Sequence, residues 1–496
     1  MKAQIARAPW LGGADAAASI ALERSFRGEL VGPGDPSYDL RRKVWNGSID
    51  RHPALIARCT NVTDVVAALA FAQRMGLDVA VRSGGHSFPG LSVCDGGIVI
   101  DLGPMKQIQV DPEAGTVRAQ AGVLLGELDR ATQAFGLAVP TGSVTHTGLA
   151  GLTLGGGIGW LMRKYGLTID QLLSAEVVTA DGEVVQASEA VNPDLFWGLR
   201  GGGGNFGIVT EFEFRLHPVG PTVLSSLLLW PLDDGPQVVR FYRDWADSTP
   251  DDLTTALVLR RAPAVDLVPE SLHGEPVVAV ASCWAGPLDR GQSVLEPMRR
   301  FGSRAVDLSA PRAFVEHQAL FDPSFPPGIW VHSKAADVNT LSDDVLDVLL
   351  EHAAQVASPR SGITAWQLGG AVARVGELET PFGSRSSGYL VDTYGVTDSA
   401  DGFEQERDWA RRCWTDIAPH HAGVYVNWLI EEGERRVRSL RRSAIRTSPG
   451  HQAPVRSGER LPPQPEHPPC LTSPGGRAIP TAFLRGRDPG PARAKG

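Results

Sequence analysis

Apolar residues recur three and four places apart between Asp64 and Met75, at Val65, Val66, Leu69 and Ala72, with Gly76 next. That is the period of an amphipathic helix closed by a glycine. The pattern then changes to short apolar runs, Leu77–Val81 and Ile98–Leu102, which read as strands on either side of a glycine turn. Alternation from Ile108 to Gly122 around Glu113-Ala114-Gly115 predicts a β-hairpin. A second amphipathic helix follows over Leu124–Phe135. The runs Leu172–Val178 and Val184–Ala187 flank Asp181-Gly182, a hairpin turn signal. Asp194–Arg200 reads as a short helix and Ile208–Leu216 as a strand.

At His217-Pro218-Val219-Gly220-Pro221 the periodicity breaks, which places a domain boundary there. Beyond it, β-rich runs (Leu224–Trp230, Pro276–Trp284, Ile363–Gly370) alternate with helical ones (Gln237–Ala246, Asp343–Gln355). An antiparallel sheet with helices on one side fits that order. Residues 1–44 read as a short helix and a lead-in. Residues 45–219 form a first domain of two α+β units, 220–420 a second, and 421–439 a strand returning to the first. The class is α+β.

Composition narrows the function. A length of 496 residues favours two domains, and 42% hydrophobic with 21% charged residues is a globular enzyme's balance. The net charge of −9, with no basic stripe before residue 430, argues against a nucleic-acid partner. No run is apolar enough to cross a membrane, and Met1–Trp10 lacks the apolar core of a signal peptide. Cys59, Cys94, Cys283, Cys413 and Cys470 are scattered and odd in number, so neither a zinc site nor a disulfide framework is expected. A cytoplasmic location is the expectation, and the oligomeric state is left open.

The candidate chemistry lies in three glycine blocks. The first, Arg82-Ser83-Gly84-Gly85-His86-Ser87-Phe88-Pro89-Gly90, follows a strand. Its adjacent glycines let backbone approach a ligand closely, Arg82 adds a positive charge, and His86 is a nucleophile when neutral. The second runs from Gly148 to Gly159 and the third from Gly201 to Gly207. The third is not a dinucleotide fingerprint, because it lacks the strand–turn–helix setting and the later acidic residue.

Together with Gly96–Leu102, Gly148–Asp170 and Asp194–Glu211, the first block resembles the FAD-linked oxidases of the vanillyl-alcohol oxidase and p-cresol methylhydroxylase (PCMH) superfamily. Within it, the chain is most similar to the berberine-bridge-enzyme-like group, which includes oligosaccharide and 6-hydroxynicotine oxidases. The resemblance covers roughly residues 45 to 435. It implies a two-domain PCMH-type FAD-binding fold with an antiparallel-sheet substrate domain. It also implies that His86 carries FAD through the 8α-methyl of the flavin. Many relatives add a cysteine bond, but Val144 stands at that position, so a single attachment is expected. The residues implied to hold the cofactor are Arg82, Ser83, Gly84, Gly85, His86, Ser87, Gly90, Gly142, Ser143, Thr147, Gly148, Gly151, Leu152, Gly157, Gly159, Gly207, Val209 and Asn427. Cys94 is read as ordinary packing in the strand leading to Ile98. No metal site is expected.

The implied reaction moves a hydride from a small alcohol, sugar or amine to the flavin and then to O₂, giving H₂O₂. A dehydrogenase with another acceptor, or a flavin-binding protein without turnover, are the alternatives. Tyr425, on a stretch resembling the family's return strand, is the candidate base or substrate-orienting phenol. Gln367, Arg374, Thr380 and Arg385 carry polar groups suited to a substrate cleft.

The last segment departs from all this. Residues 441–496 hold 11 prolines, 9 arginines and one aromatic, Phe483, a composition unable to bury a core. Read one register over, codons permitted from Leu440 onward yield a Tyr-Gly turn, a helix and Tyr-Asp-Pro-Gly-Asn-Val-Phe, which resembles the family's C-terminus. A frameshift between about Glu434 and Leu440 is the expectation, with residues 440–496 an aberrant, disordered tail.

Overall fold

The computed structural model describes residues 16–430 apart from Ser384. The frameshifted tail expected over 440–496, and positions 431–439 before it, lie outside the described residues.

Helix α1 (Ala16–Ser25) precedes β1 (Glu29–Val31), β2 (Leu55–Arg58), α2 (Val62–Met75), β3 (Val79–Arg82) and β4 (Ile98–Asp101). The sheet order is β1-β2-β4-β3, with β2 and β3 both parallel to β4 and β1 antiparallel to β2. The expected lead-in therefore supplies an edge strand and a helix to the first sheet, and Leu22 and Phe26 are buried in its core. Helix α2 starts where Asn61 caps it by accepting from Asp64 N–H, and ends at Gly76 with φ +63. A parallel pair requires a crossover, and α2 is that crossover.

The second sheet is antiparallel, built from β5 (Ile108–Asp111), β6 (Thr116–Gln120), β7 (Leu172–Val178), β8 (Val184–Ser188) and β9 (Ile208–Arg215) in the order β5-β6-β9-β7-β8. Both expected hairpins are present. Helices α3 (Leu125–Gln133), α4 (Leu149–Gly155) and α5 (Pro193–Leu199) connect it. Val65, Leu69 and Ala72 of α2 share one core with Ile98 and Ile100 of the first sheet and Ala175 and Val177 of the second.

Past Pro221 the chain forms a nine-stranded sheet. Its long members are β10 (Thr222–Pro231), β11 (Leu253–Arg261), β12 (Pro276–Trp284), β13 (Trp330–Val338), β14 (Gly362–Gln367) and β15 (Tyr389–Thr397), ordered β10-β12-β11-β14-β15-β13 and antiparallel throughout. Helices α6 (Gly235–Asp247), α7 (Leu288–Arg300), α8 (Asp343–Ala354) and α9 (Phe403–Asp416) accompany it. Tyr242, Trp245, Leu346, Leu349 and Trp409 from three of them pack on Leu257, Leu259, Ile363, Ala365 and Val391 of the sheet. Side chains alternate along a strand, so Val258, Trp366 and Leu390 point the other way, toward Trp160, Leu161 and Tyr425. That second face meets the first domain.

Two readings need correction. The return segment is strand only at β16 (His421–Gly423), which pairs with β13 at the edge of the large sheet, while Val426–Trp428 is a 3-10 turn. Cys94 sits in the loop before β4, because strand pairing begins only at Ile98.

Candidate cofactor and substrate site

Strand β3 delivers the chain to the first glycine block, where Gly85 takes φ +68. The second block lies directly against it. A Cβ on Gly84 would stand 2.5 Å from the Gly148 nitrogen, and one on Gly148 would stand 2.4 Å from the Gly84 nitrogen. Glycine is required at both positions by backbone contact, at φ/ψ values any residue could otherwise adopt at Gly148 (−74, 131). Ser83 fixes the turn by donating from Oγ to the Ala121 carbonyl at 2.6 Å.

The two blocks border a cavity of about 510 Å³. Ser83, Gly84, Gly85, His86, Ser87, Gly142, Ser143, Thr147, Gly148, Gly151, Leu152, Gly207, Val209, Tyr425 and Asn427 all line it, as does Val144. Segments far apart in the chain thus converge, with Gly207 turning into the wall at φ +147.

His86 contributes the imidazole of this wall. Its ring stacks on Trp45 with centroids 3.9 Å apart and planes inclined by 16°. Its Nε2 is buried and has no hydrogen-bond partner. Burial, with a smaller push from the His146 charge, lowers its pKa to about 3, so the imidazole is neutral and nucleophilic at pH 7. Trp45 is itself held, since its N–H donates to the Gly85 carbonyl at 3.0 Å and its Nε1 to Phe325 O at 2.9 Å. Asn46 ties the same loop to the large sheet, donating from Nδ2 to Phe88 O and Val331 O at 2.8 and 3.0 Å.

Four expected residues stand behind the wall. Arg82 is buried in an ion pair with Asp101 (2.8 Å) and donates to Arg41 O (2.6 Å), so its charge is spent on the fold and not on the cavity. Gly90 packs on Ile49, and Gly159 packs on the Thr141 carbonyl. Gly157 is turned to donate its N–H to the Tyr425 hydroxyl at 3.1 Å.

The opposite wall comes from the second domain: Val258 and Arg260 of β11, Thr364 and Trp366 of β14, Asp392 and Tyr394 of β15, with Phe321, Ser324 and Phe325. The chain is similar to known proteins. Residues 53–188 match the FAD binding domain family model. An FAD-linked oxidoreductase of Dictyostelium discoideum is 31% identical over 408 residues, spanning 81% of this chain and 86% of that protein. The chain is an FAD-linked oxidoreductase. The crystal structure of 6-hydroxy-D-nicotine oxidase from Arthrobacter nicotinovorans superposes with a TM-score of 0.74 at 28% identity, covering 84% of this chain and 92% of that one. Glucooligosaccharide oxidase from Acremonium strictum shares the fold, with a TM-score of 0.75 at 21% identity over 85% and 94% of the two chains. The family, the α+β two-domain fold and the enzyme class read from the sequence therefore hold, and FAD is the cofactor of this family's domain.

In this oxidoreductase the cavity suits that cofactor on chemical grounds: a neutral imidazole with an unpartnered buried nitrogen stands in the lining, between glycines that leave no Cβ in the way. Tyr425 is buried, and burial raises its pKa above the usual phenol value. Its oxygen accepts from Gly157 N–H and from Asn427 Nδ2 at 2.9 Å. Both bonds stabilise the ionised phenol and so oppose the effect of burial. Asn427 spends its other amide hydrogen on Leu152 O at 3.0 Å. Cys94 also lines the cavity, but burial lifts its pKa to about 12 and keeps it a thiol.

The substrate-cleft expectations are overturned. Gln367 faces the helices, accepting from Thr255 (2.9 Å) and donating to Ala246 O (2.6 Å). Arg374 pairs with Asp251 away from the cavity. Arg385 is fully buried, donating to both Asp170 oxygens at 2.8 Å and to Thr380 Oγ1 at 2.8 Å. It joins the two domains and leaves Thr380 no role in the cleft. The reason is register: Gln367 lies one place from Trp366 and so on the opposite face. Among residues the motifs missed, Asp392 carried a signal, being a lone acidic residue inside an apolar strand pattern.

No helix among the described residues is long and apolar enough to cross a membrane.

Proposed function

We propose that this chain is an oxidase carrying FAD on His86 through a single bond to the 8α-methyl of the flavin. The observation that supports it is the neutral His86 imidazole, with its unpartnered Nε2 on the wall between the two glycine blocks. The glucooligosaccharide oxidase is described with a 6-S-cysteinyl, 8α-N1-histidyl FAD. Here Val144 lines the cavity and cannot form a thioether, so attachment is through histidine alone. Bound there, the flavin would take a hydride from the carbon bearing a substrate's hydroxyl or amine and be reoxidised by O₂, yielding H₂O₂.

The chain's own part is to hold, orient and shield. Trp45 clamps the His86 ring, and the glycine blocks admit the cofactor edge-on. Gly207 and Val209 would hold its pyrophosphate and adenine part, Asn427 its pyrimidine edge, and Tyr425 would orient the bound molecules through its hydroxyl. A cytoplasmic setting accords with Cys59, Cys94, Cys283 and Cys413, all free and buried.

The test is to precipitate the protein with acid. The pellet is expected to stay yellow, and a proteolytic flavin peptide to contain His86 without a cysteine thioether. Flavin recovered wholly in the supernatant would rule the covalent link out. Stopped-flow mixing of reduced enzyme with air decides the acceptor: slow, oxygen-insensitive reoxidation would assign a dehydrogenase instead.

A further inference from the structure

Two side chains of the second domain, Gln318 and Asp322, hold both ends of one cavity-lining segment of the first. Gln318 donates from Nε2 to the Gly142 carbonyl at 3.2 Å. Asp322 accepts the Thr145 N–H on Oδ1 at 2.8 Å and the Thr145 hydroxyl on Oδ2. Gly142, Ser143 and Val144, which start from one of these bonds and end at the other, all line the cavity. The same stretch runs on to Phe325, whose carbonyl takes the Trp45 indole N–H at 2.9 Å. Just beyond it, Gly328 N–H donates to Trp45 O at 2.8 Å and Gly47 N–H to Ile329 O at 2.7 Å. Its footing in the second domain is Arg260, on Ser324 Oγ at 2.9 Å, and Arg360, on Pro323 O at 3.4 Å.

Two ring neighbours of His86 belong to the segments held in this way. Trp45 lies 3.9 Å away between centroids and His146, the residue after Thr145, lies 5.1 Å away. The buried His86 Nε2 has no hydrogen-bond partner, so the direction of the ring depends on these neighbours. Bond formation at an imidazole nitrogen needs the reacting atoms about 3–3.5 Å apart and aligned, and a small misplacement costs much of the rate. Non-covalent binding is spread over the backbone of the glycine blocks and depends far less on the angle of one ring.

We infer that the second-domain stretch 318–325 sets His86 for flavin attachment, with Asp322 as the positioning residue. The first domain binds the cofactor, and the link forms only once the second domain is docked on it. This rests on the covalent reading above and adds what controls it. The link joins an imidazole nitrogen to the 8α-carbon. One C–H and one N–H bond break, the two protons and two electrons released reduce the flavin, and O₂ reoxidises it to give H₂O₂.

The test uses full-length protein made under riboflavin limitation, mixed with FAD in aerated buffer. Bound flavin is followed by quenching of its fluorescence, and linked flavin by acid precipitation of timed samples. Asp322→Ala is expected to link flavin about tenfold more slowly, the worth of a hydrogen bond to a charged group, with the affinity for FAD before linking unchanged. Asp322→Asn, which can still bond both Thr145 groups, should keep the rate within about threefold of wild type. Thr145→Val, which has the shape of threonine without its hydroxyl, should slow linking about threefold, and it decides the matter if the alanine variant does not fold. Linking at the wild-type rate in both Asp322→Ala and Thr145→Val overturns the inference. Equal losses of binding and linking overturn it too, since they reveal a merely structural role. Asp322→Asn as slow as the alanine variant assigns the effect to charge and not to position, which also overturns it. Wild-type protein that binds FAD yet gives a colourless acid pellet removes the covalent reading itself, a result distinct from all of these.

Discussion

Along one side of the cavity the wall is backbone: Gly84 and Gly148 pack so closely that a Cβ on either would meet the other's nitrogen, and the His86 side chain stands beside them. Along the other it is side chains on strands, with Arg260, Thr364 and Asp392 drawn from segments that are more than a hundred residues apart at their extremes. The first wall is shaped by the absence of side chains, and the second by side chains that alternate along paired strands, so its lining is set one rung of paired residues at a time.

The sharpest way to break this contrast is His86→Ala. If the backbone wall serves the cofactor, the variant loses all acid-stable flavin, read as absorbance of the washed pellet, while the large sheet folds as before. Retention of covalent flavin in this variant would remove the basis of the comparison.

Next is the seam between the walls. Arg385→Ala strands Asp170, which is only 9% exposed as a side chain. Breaking a buried pair by deleting one partner costs about 3–5 kcal/mol, so the denaturant midpoint should fall sharply. A change under about 1 kcal/mol would mean that this ion pair contributes little to holding the domains together.

Smaller, and confined to the backbone wall, is Gly148→Ala. Its added Cβ would meet the Gly84 nitrogen at 2.4 Å and Ser83 Oγ at 2.7 Å. Overpacking of this kind costs about 1–3 kcal/mol and should also lower flavin occupancy, measured as the ratio of flavin to protein absorbance.

The finest distinction is the pH dependence of Asp392→Asn. The carboxyl rises from 3.8 to about 7 on folding, so the folded state holds its proton more tightly than the unfolded chain. Stability is therefore lost as pH rises from about 4 to 7, and the full loss is present above 7. Asparagine removes that loss. The variant should gain stability over wild type by roughly 2 kcal/mol more at pH 8 than at pH 5, seen as a widening gap in melting temperature. A gap independent of pH would show that the carboxylate is already satisfied.

The tail asks for a different measurement. Resequencing the gene across Glu434–Leu440 is expected to show a one-register shift; an unbroken frame encoding residues 440–496, in a protein of ordinary activity, would defeat that reading.

Much of the molecule was legible because its cause is local. The helix over Val62–Met75 follows from apolar spacing and a glycine stop, the hairpins from their turns, and the turn before His86 from Gly84, which packs on Gly148, and Gly85, at φ +68. The edge strand Glu29–Val31 was not legible, since three residues carry too short a pattern and exist as a strand only by pairing with Leu55–Arg58. The same holds at the site. Arg82 looked like an anion ligand by its position, and only folding showed Asp101, at the end of the next strand and directly opposite it, claiming it. Arg385 looked like a cleft residue until Asp170 proved to be its partner across the domain seam. A sequence by itself determines periods, turns and the places where a side chain is excluded, because these depend on neighbours along the chain. Which polar side chain faces a cavity and which is consumed in a buried pair is decided by register and by contacts hundreds of residues apart, and so only by the tertiary structure.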